Sequence, residues 1–224
     1  MRLLAGVALF AAVILGVILQ HYNSPQARYE RFCQHSKSPH GRGATVPVTS
    51  GQPVVVVLGD SYASGFGLKQ PREAWPTQLG RREHWQVFVD GVAGTGMVNG
   101  GLCQQPYSSR VQQVLTRRPQ RVVIEVGLND TAASADVERH AAAAALASLT
   151  SVPVVNLVGP PPVPGKRLAD VRRVDGALRD ASERAGRHYV TALGWQLPYL
   201  PDGVHLTPAG HQQFAELVSG GIRG

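Results

Sequence analysis

The sequence predicts an α/β fold, in which a parallel, doubly wound sheet of about five strands carries helices on both faces and is preceded by an N-terminal hydrophobic helix. Two observations predict the sheet. From Pro53 onward, short apolar runs alternate with helix-like stretches, and the first and fourth runs are rich in valine without alternation, which is typical of strands covered on both faces. An uncharged apolar run over residues 3–19 predicts the N-terminal helix.

Five apolar runs of strand length are predicted to form the sheet. In a sheet of this kind, ligands bind beyond the carboxyl ends of the strands, so the residues directly after each strand are where catalytic groups are expected. The predicted strands are residues 54–58, 86–89, 121–126, 152–158 and 188–193.

Four helix-like stretches alternate with or follow these strands. The first ends with two arginines, which complement the helix dipole. The last begins with Thr207, an N-cap residue, and Pro208, which suits the first helical position. The predicted helices are residues 108–118, 132–149, 167–187 and 208–218.

The apolar run over residues 3–19 contains 17 residues. It is longer than the apolar core of most signal peptides and slightly shorter than a typical spanning helix, and no small-residue cleavage site follows it. Residues 1–20 are therefore predicted to be a signal anchor, favoured over a cleaved signal peptide, and either places the rest of the chain outside the cytosol. Arg28 and Arg31 count against this orientation under the positive-inside rule.

Export bears on the two cysteines, Cys33 and Cys103, because an oxidising compartment favours a bridge between them over two free thiols. The segment 34–53 is rich in proline and glycine and has almost no apolar periodicity. Residues 21–52 are therefore predicted to form a linker or stalk, and residues 53–224 to form the main domain.

The net charge of +7 is unevenly placed. Residues 1–52 hold five basic residues and one acidic residue, whereas residues 53–224 hold 17 and 14. A nucleic-acid-binding domain would have a basic stripe with interleaved aromatic side chains, and only 6% of this chain is aromatic. The sequence has no His/Cys cluster with metal-ligand spacing and no phosphate-binding loop. No nucleic acid, metal or other cofactor is therefore predicted.

Four polar clusters carry the candidate chemistry, and three of them directly follow predicted strands. Nucleophilic acyl transfer needs a hydroxyl, a base, a group that orients the base, and donors for the oxyanion. Taken singly, each cluster has an ordinary structural explanation, such as a helix cap or a tight turn. Together they supply all four groups. The clusters are residues 59–65, 90–96, 127–130 and 202–205.

Three of these clusters resemble the motif blocks of the SGNH hydrolases, also called GDSL-type esterases and lipases. GDSYASG at 59–65 matches GDSxxxG, GLND at 127–130 matches GxND, and DGVH at 202–205 matches DxxH. The blocks occur in the order of the family, and the resemblance covers about residues 53–219. The second block is looser, because no asparagine precedes its glycine, and Gly94 is chosen over Gly96 by spacing. Tyr62 stands where GDSL has leucine, a position without a catalytic role in the family.

The resemblance implies a three-layer, flavodoxin-like α/β/α domain that hydrolyses carboxylic esters through an acyl-serine intermediate. Ser61 is then the nucleophile, His205 the base, and Asp202 the group that holds the imidazole. The oxyanion donors are the backbone N–H groups of Ser61 and Gly94 and the side-chain amide of Asn129.

The expected substrate is a small-molecule, lipid or carbohydrate ester with a short acyl or acetyl group, and an uncleaved segment 3–19 would add the membrane as a partner. Two alternatives stay open: an acyltransferase that uses the same triad, and a non-catalytic binding module on a hydrolase fold. The Pro-rich segment 159–165, with Trp195, Leu197, Tyr199 and Leu200, either walls an acyl pocket or anchors the core.

Three further polar residues are expected to have structural roles. Asp60 is expected to organise the nucleophile turn by accepting backbone hydrogen bonds. Asp130 is expected to cap a helix, and His211 to be a surface or packing residue inside the last helix.

Overall fold

The computed structural model describes residues 24–37 and 51–222. The chain divides into two units, residues 1–38 and 39–224. The predicted apolar helix over residues 3–19 lies outside the described residues. Within the described ranges, no helix has the length and apolar character needed to cross a membrane.

The described part of the first unit is a single helix, α1 (Pro25–Lys37). It occupies part of the segment predicted to be a linker or stalk, and residues 38–50 of that segment lie outside the described residues. Cys33, on this helix, and Cys103 are both disulfide-bonded, as the sequence predicts for an oxidising compartment.

The second unit contains a sheet of five parallel strands in the order β2-β1-β3-β4-β5, which confirms the predicted doubly wound fold. The runs of valine form strands here because both faces of the sheet are covered, and β-branched side chains pack well on such a surface. All five predicted strands are present, with ends shifted by a few residues. They are β1 (Val54–Gly59), β2 (Gln86–Gly91), β3 (Arg121–Glu125), β4 (Val154–Val158) and β5 (His188–Val190).

The helices of this unit include all four that the sequence predicts, together with two short ones that it does not. The predicted helix over 108–118 ends early, and Arg118 has a positive φ of 47°. The helix predicted from residue 132 begins later, because Ser134 is its cap and accepts a hydrogen bond from the N–H of Val137. The helices are α2 (Ser61–Ser64), α3 (Trp75–Arg82), α4 (Tyr107–Leu115), α5 (Ala135–Ala147), α6 (Leu168–Arg184) and α7 (Pro208–Gly221).

The core consists of two apolar layers, one on each face of the sheet. On one face, side chains of α3 and α7 pack around the rings of Trp75 and Phe214, whose centroids lie 5.1 Å apart. On the other, α4, α5 and α6 cover the sheet, with Val111, Leu146 and Leu178 buried beneath them. Helices cover both faces of the sheet and leave the carboxyl ends of the strands open. The site lies at these carboxyl ends.

Candidate active site

The predicted nucleophile lies in the turn that joins β1 to α2. Oδ1 of Asp60 accepts a hydrogen bond from the N–H of Tyr62 at 2.9 Å, which confirms the expected role of this aspartate. Gly65 ends the short helix with a φ of 76°, so the chain turns away after one turn. Ser61 is 7% exposed, and its Oγ lies 3.5 Å from Oδ1 of Asp60, a distance too long to fix the hydroxyl.

Asp202 and His205 are bonded to each other in the loop before α7. Oδ2 of Asp202 lies 2.6 Å from Nδ1 of His205. Oδ1 accepts hydrogen bonds from the N–H groups of Val204 and His205, both at 2.9 Å. The hydrogen bond from His205, followed by these two backbone bonds, lowers the pKa of Asp202 to about 2. The three-residue spacing therefore builds an ionised carboxylate against one nitrogen of the ring.

The side chain of Asn129 connects the turns that follow β1 and β2. It lies in a 3₁₀ turn (Leu128–Asp130) after β3. Its Nδ2 donates to Oδ2 of Asp60 at 2.8 Å and to the carbonyl of Thr95 at 2.9 Å. One amide thus joins the segments after three neighbouring strands, and both of its hydrogens already have protein acceptors.

The loop after β2 carries Gly94, with a φ of 77°, and is held from below by Asp130. The two carboxylate oxygens of Asp130 accept hydrogen bonds from the N–H groups of Met97 and Asn99, both at 2.7 Å. The prediction that Asp130 caps a helix is wrong, because Ser134 caps α5 and the carboxylate of Asp130 faces this loop instead.

A cavity of about 470 Å³ lies beyond the carboxyl ends of β1, β2 and β3. The ring of Phe66 forms part of its wall and lies 4.5 Å, centroid to centroid, from the imidazole of His205. The structure brings all the predicted site residues to this one cavity. They are Ser61, Gly94, Asn129, Asp202 and His205.

A second, more open cavity of about 590 Å³ is lined by residues 162–164 with Trp195, Leu197 and Tyr199. None of these residues lines the first cavity. Leu197 belongs to the core layer around Phe214, and the other two side chains pack against that layer. The core-anchor interpretation of these aromatic and apolar residues is therefore the one that the structure supports.

The sequence model of the GDSL-like Lipase/Acylhydrolase family matches residues 57–213. The chain belongs to this family. It is therefore a serine hydrolase of the carboxylic ester hydrolase class. No curated protein has significant sequence similarity to this chain.

Solved structures of other esterases share the fold of this GDSL-like hydrolase. Est24, a carbohydrate acetylesterase from Sinorhizobium meliloti, is 16% identical with a TM-score of 0.64, and the match covers 75% of this chain and 97% of Est24. The M. smegmatis aryl esterase is 17% identical with a TM-score of 0.60, covering 76% and 100%. AlinE4, an SGNH-hydrolase family esterase, is 23% identical with a TM-score of 0.57, covering 77% and 96%.

Two buried carboxyl pairs support the site of this GDSL-like hydrolase, and the sequence analysis missed both. Burial raises the pKa of Asp60 to about 6, and burial followed by the neighbouring charge of Asp60 raises the pKa of Glu125 well above the usual range. Burial, followed by the neighbouring charge of Asp130, raises the pKa of Glu138 to about 9. Glu138 is thus neutral at pH 7, and both glutamates lie buried beside the aspartates that shape the turns after β1 and β2. The sequence signal that was available is Glu125, a lone acidic residue at the end of the apolar strand β3.

Arg110 is a second feature of the hydrolase that sequence reasoning did not find. It is 2% exposed on α4 and lies beneath the strand ends. Nη1 donates to the carbonyl and to Oδ1 of Asp90 at 2.8 Å, and Nη2 donates to the carbonyl of Gly59 and to Oγ1 of Thr95 at 3.0 Å. One guanidinium therefore fixes the ends of β1 and β2 and the loop that carries Gly94.

His211 is a packing residue on the buried face of α7, one of the two roles expected for it. It is 1% exposed, and its Nδ1 accepts a hydrogen bond from the N–H of Trp75 at 3.3 Å. Burial, with a smaller effect from the charge of His205, lowers the pKa of His211 to about 4. The ring is therefore neutral at pH 7 and acts as an acceptor between α3 and α7.

Proposed function

We propose that this chain is an exported serine esterase that cleaves esters of short acyl groups through an acyl-serine intermediate. The observation that carries the proposal is the single cavity at the strand ends, which gathers a serine hydroxyl, a His–Asp pair and backbone N–H donors. These are the groups that nucleophilic acyl transfer requires.

In the proposed reaction, Ser61 is the nucleophile and His205 is the base. Because Nδ1 of His205 is held by Asp202, Nε2 is the nitrogen that takes the serine proton as Oγ attacks the ester carbonyl. The tetrahedral intermediate collapses, the C–O bond to the alcohol breaks, and the alcohol leaves with the proton from Nε2. Water, deprotonated by the same nitrogen, then hydrolyses the acyl-serine.

Backbone N–H groups are the first candidates for binding the oxyanion. Ser61 occupies the first position of α2, where a backbone N–H has no partner within the helix. Among the described residues, the N–H of Gly94 has no hydrogen-bond acceptor. Gly96 is less suitable, because its N–H already donates to the carbonyl of Asn99 at 2.8 Å.

Asn129 is proposed as the third donor, in addition to its structural bonds. Its Nδ2 lies between Oδ2 of Asp60 and the carbonyl of Thr95, and the residue lines the cavity. An oxyanion in the cavity would therefore share a hydrogen of Nδ2 with one of these acceptors as a three-centre bond. The fixed position of the amide suits this role, because a preorganised donor needs no reorientation during the reaction.

Short acyl esters and export are proposed from different observations. A cavity of about 470 Å³ lies at the small end of ligand pockets, which suits short acyl groups, and two proteins of the same fold are described as a carbohydrate acetylesterase and an aryl esterase. Export is supported by the disulfide and by the apolar run over residues 3–19.

Labelling with a fluorophosphonate probe, together with hydrolysis of 4-nitrophenyl acetate, tests the proposal. Wild-type protein is expected to be labelled and to turn over the ester, and Ser61→Ala to do neither. The matched control is Ser64→Ala, which removes a hydroxyl from the same short helix and is expected to keep the label. Wild-type protein that neither reacts nor hydrolyses the ester would identify a non-catalytic binding module, and a labelled Ser61→Ala variant would place the nucleophile elsewhere.

A further inference from the structure

Lys166 follows a backbone segment that is fixed beside the loop of the proposed base. Prolines 160–162 and 164 restrict the preceding backbone. The N–H of Gly165 then donates to the carbonyl of Gly203 at 2.8 Å, and a Cβ added at Gly165 would lie only 2.5 Å from the side chain of Val204. The N–H of Lys166 closes the turn with a bond of 3.2 Å to the carbonyl of Val163. The backbone of Lys166 is therefore held in a fixed position.

The side chain of Lys166 is exposed and lines the cavity of the proposed active site. Among the described residues, no carboxylate forms a salt bridge with it. The two carboxylates of the cavity are engaged elsewhere, since Asp60 accepts from Tyr62 and Asn129, and Asp202 accepts from His205. An anion entering the cavity would therefore meet Lys166 without first displacing an ion pair.

Two other exposed side chains of the cavity wall are apolar, and the remaining exposed one, Asp202, is already paired with His205. Phe66 is 54% exposed and Leu102 is 61% exposed, and both line the cavity. Apolar side chains of this kind accommodate the carbon skeleton of a ligand, while the ammonium group of Lys166 attracts a negatively charged group. Because the whole cavity measures about 470 Å³, a group that reaches Lys166 lies within a few bonds of the ester carbon.

We propose that the substrate is a small ester that carries an anionic group, and that Lys166 binds this group. The inference rests on the proposed esterase function and names its substrate class. The attraction between the Lys166 ammonium and the anionic group is largest at low ionic strength, because added salt screens it. The preference for an anionic substrate should therefore weaken as the salt concentration rises.

Two pairs of substrates test this proposal, each with an anionic ester and its neutral amide of the same shape. The first pair places the charge on the acyl group: mono-4-nitrophenyl adipate against the corresponding adipamate. The second places it on the alcohol: 4-acetoxybenzoate against 4-acetoxybenzamide. The measured quantity is the charge preference, the ratio of kcat/KM for the anionic ester to kcat/KM for its amide. A general loss of activity cancels in this ratio.

In one of the two pairs, Lys166→Met is expected to lower the charge preference by about fivefold at low salt, the order of effect of one solvated ion pair. The difference from wild type should shrink in about 1 M NaCl, where the screening length is about 3 Å. Lys69→Met is the matched control, because it removes an exposed lysine that does not line the cavity, and it should behave as wild type.

A charge preference that Lys166→Met leaves unchanged in both pairs would overturn the proposal, while hydrolysis of the neutral esters would leave the esterase function standing. If the wild-type protein hydrolyses none of the four esters, the proposed function itself is wrong and the substrate proposal is wrong with it. The two failures are therefore distinguishable.

Discussion

The hydroxyl of Tyr62 donates a hydrogen bond to the backbone carbonyl of Val204, with an O···O distance of 2.5 Å. Tyr62 directly follows Ser61, and Val204 directly precedes His205, so this bond joins the backbones that carry the proposed nucleophile and the proposed base. The phenol ring is 1% exposed and packs edge-on against Phe214, 5.9 Å between centroids, which leaves it little freedom. The leucine of the GDSL motif has no hydroxyl to form this link.

We expect Tyr62→Phe to lower kcat about tenfold with little change in KM, because a small misplacement of nucleophile and base slows the chemical step more than it weakens substrate binding. Steady-state kinetics with 4-nitrophenyl acetate, well below the melting temperature, measures both constants. Tyr199→Phe is the control, since it removes a hydroxyl that donates to the carbonyl of Pro162 at 2.9 Å and lines only the second cavity. Equal kcat values for the two variants would refute a positioning role for Tyr62.

The link between Tyr62 and Val204 also marks the limit of what the sequence predicts. Short-range patterns predicted the five strands, and a loop of four residues predicted the bond between Asp202 and His205. Tyr62 and Val204 are 142 positions apart, and no local pattern pairs them. Their contact depends on how the turn after β1 and the loop before α7 meet beyond the sheet.

Two other features of the structure lack a local signal for similar reasons. Helix α3 begins after Ala74, whose side chain makes no capping hydrogen bond, so the usual N-terminal signature is missing. Arg110 is one of many arginines in the sequence, and its burial follows only from the placement of α4 beneath the ends of β1 and β2. Tertiary packing, rather than periodicity, decides both features.

The amide of Asn129 leads to a second prediction. Asn129→Ala removes the proposed third oxyanion donor and also the bonds to Asp60 and Thr95, so we expect kcat to fall by about 10²–10³. KM should change much less, since the lost interaction is strongest in the transition state. Steady-state kinetics with 4-nitrophenyl acetate measures both constants. An increase in KM with kcat unchanged would mean that Asn129 only positions the substrate.

Arg110 leads to a prediction about stability. Arg110→Met leaves Asp90 without its buried cation and removes the bonds to Gly59 and Thr95, so we expect the free energy of unfolding to fall by about 3–5 kcal/mol. Urea unfolding measures this value, and adding Asp90→Asn should restore part of it by removing the buried negative charge. Arg184→Met, which breaks an exposed pair with Asp180, should cost under about 1 kcal/mol. Equal losses for the two arginine variants would contradict the prediction.

The buried imidazole of His211 predicts a pH dependence of stability. Its pKa is about 4 in the folded chain against an ordinary value of 6.5, so between these values the unfolded chain binds a proton that the folded chain does not. The stabilising effect of the neutral ring is thus complete above about pH 6.5 and is lost as the pH falls through 4. Protonation would also turn the acceptor Nδ1 into a donor facing the N–H of Trp75.

We therefore expect the free energy of unfolding of the wild type to fall by about 3 kcal/mol more than that of His211→Asn between pH 7 and pH 4. Asparagine is the matched substitution, because its Oδ1 can occupy the place of Nδ1 and accept from Trp75, yet it does not titrate. Urea unfolding of both proteins at several pH values gives the difference directly, and other groups that titrate in this range cancel in it. Parallel pH profiles would show that His211 titrates equally in the folded and unfolded chains, and would contradict the assignment of a buried neutral ring.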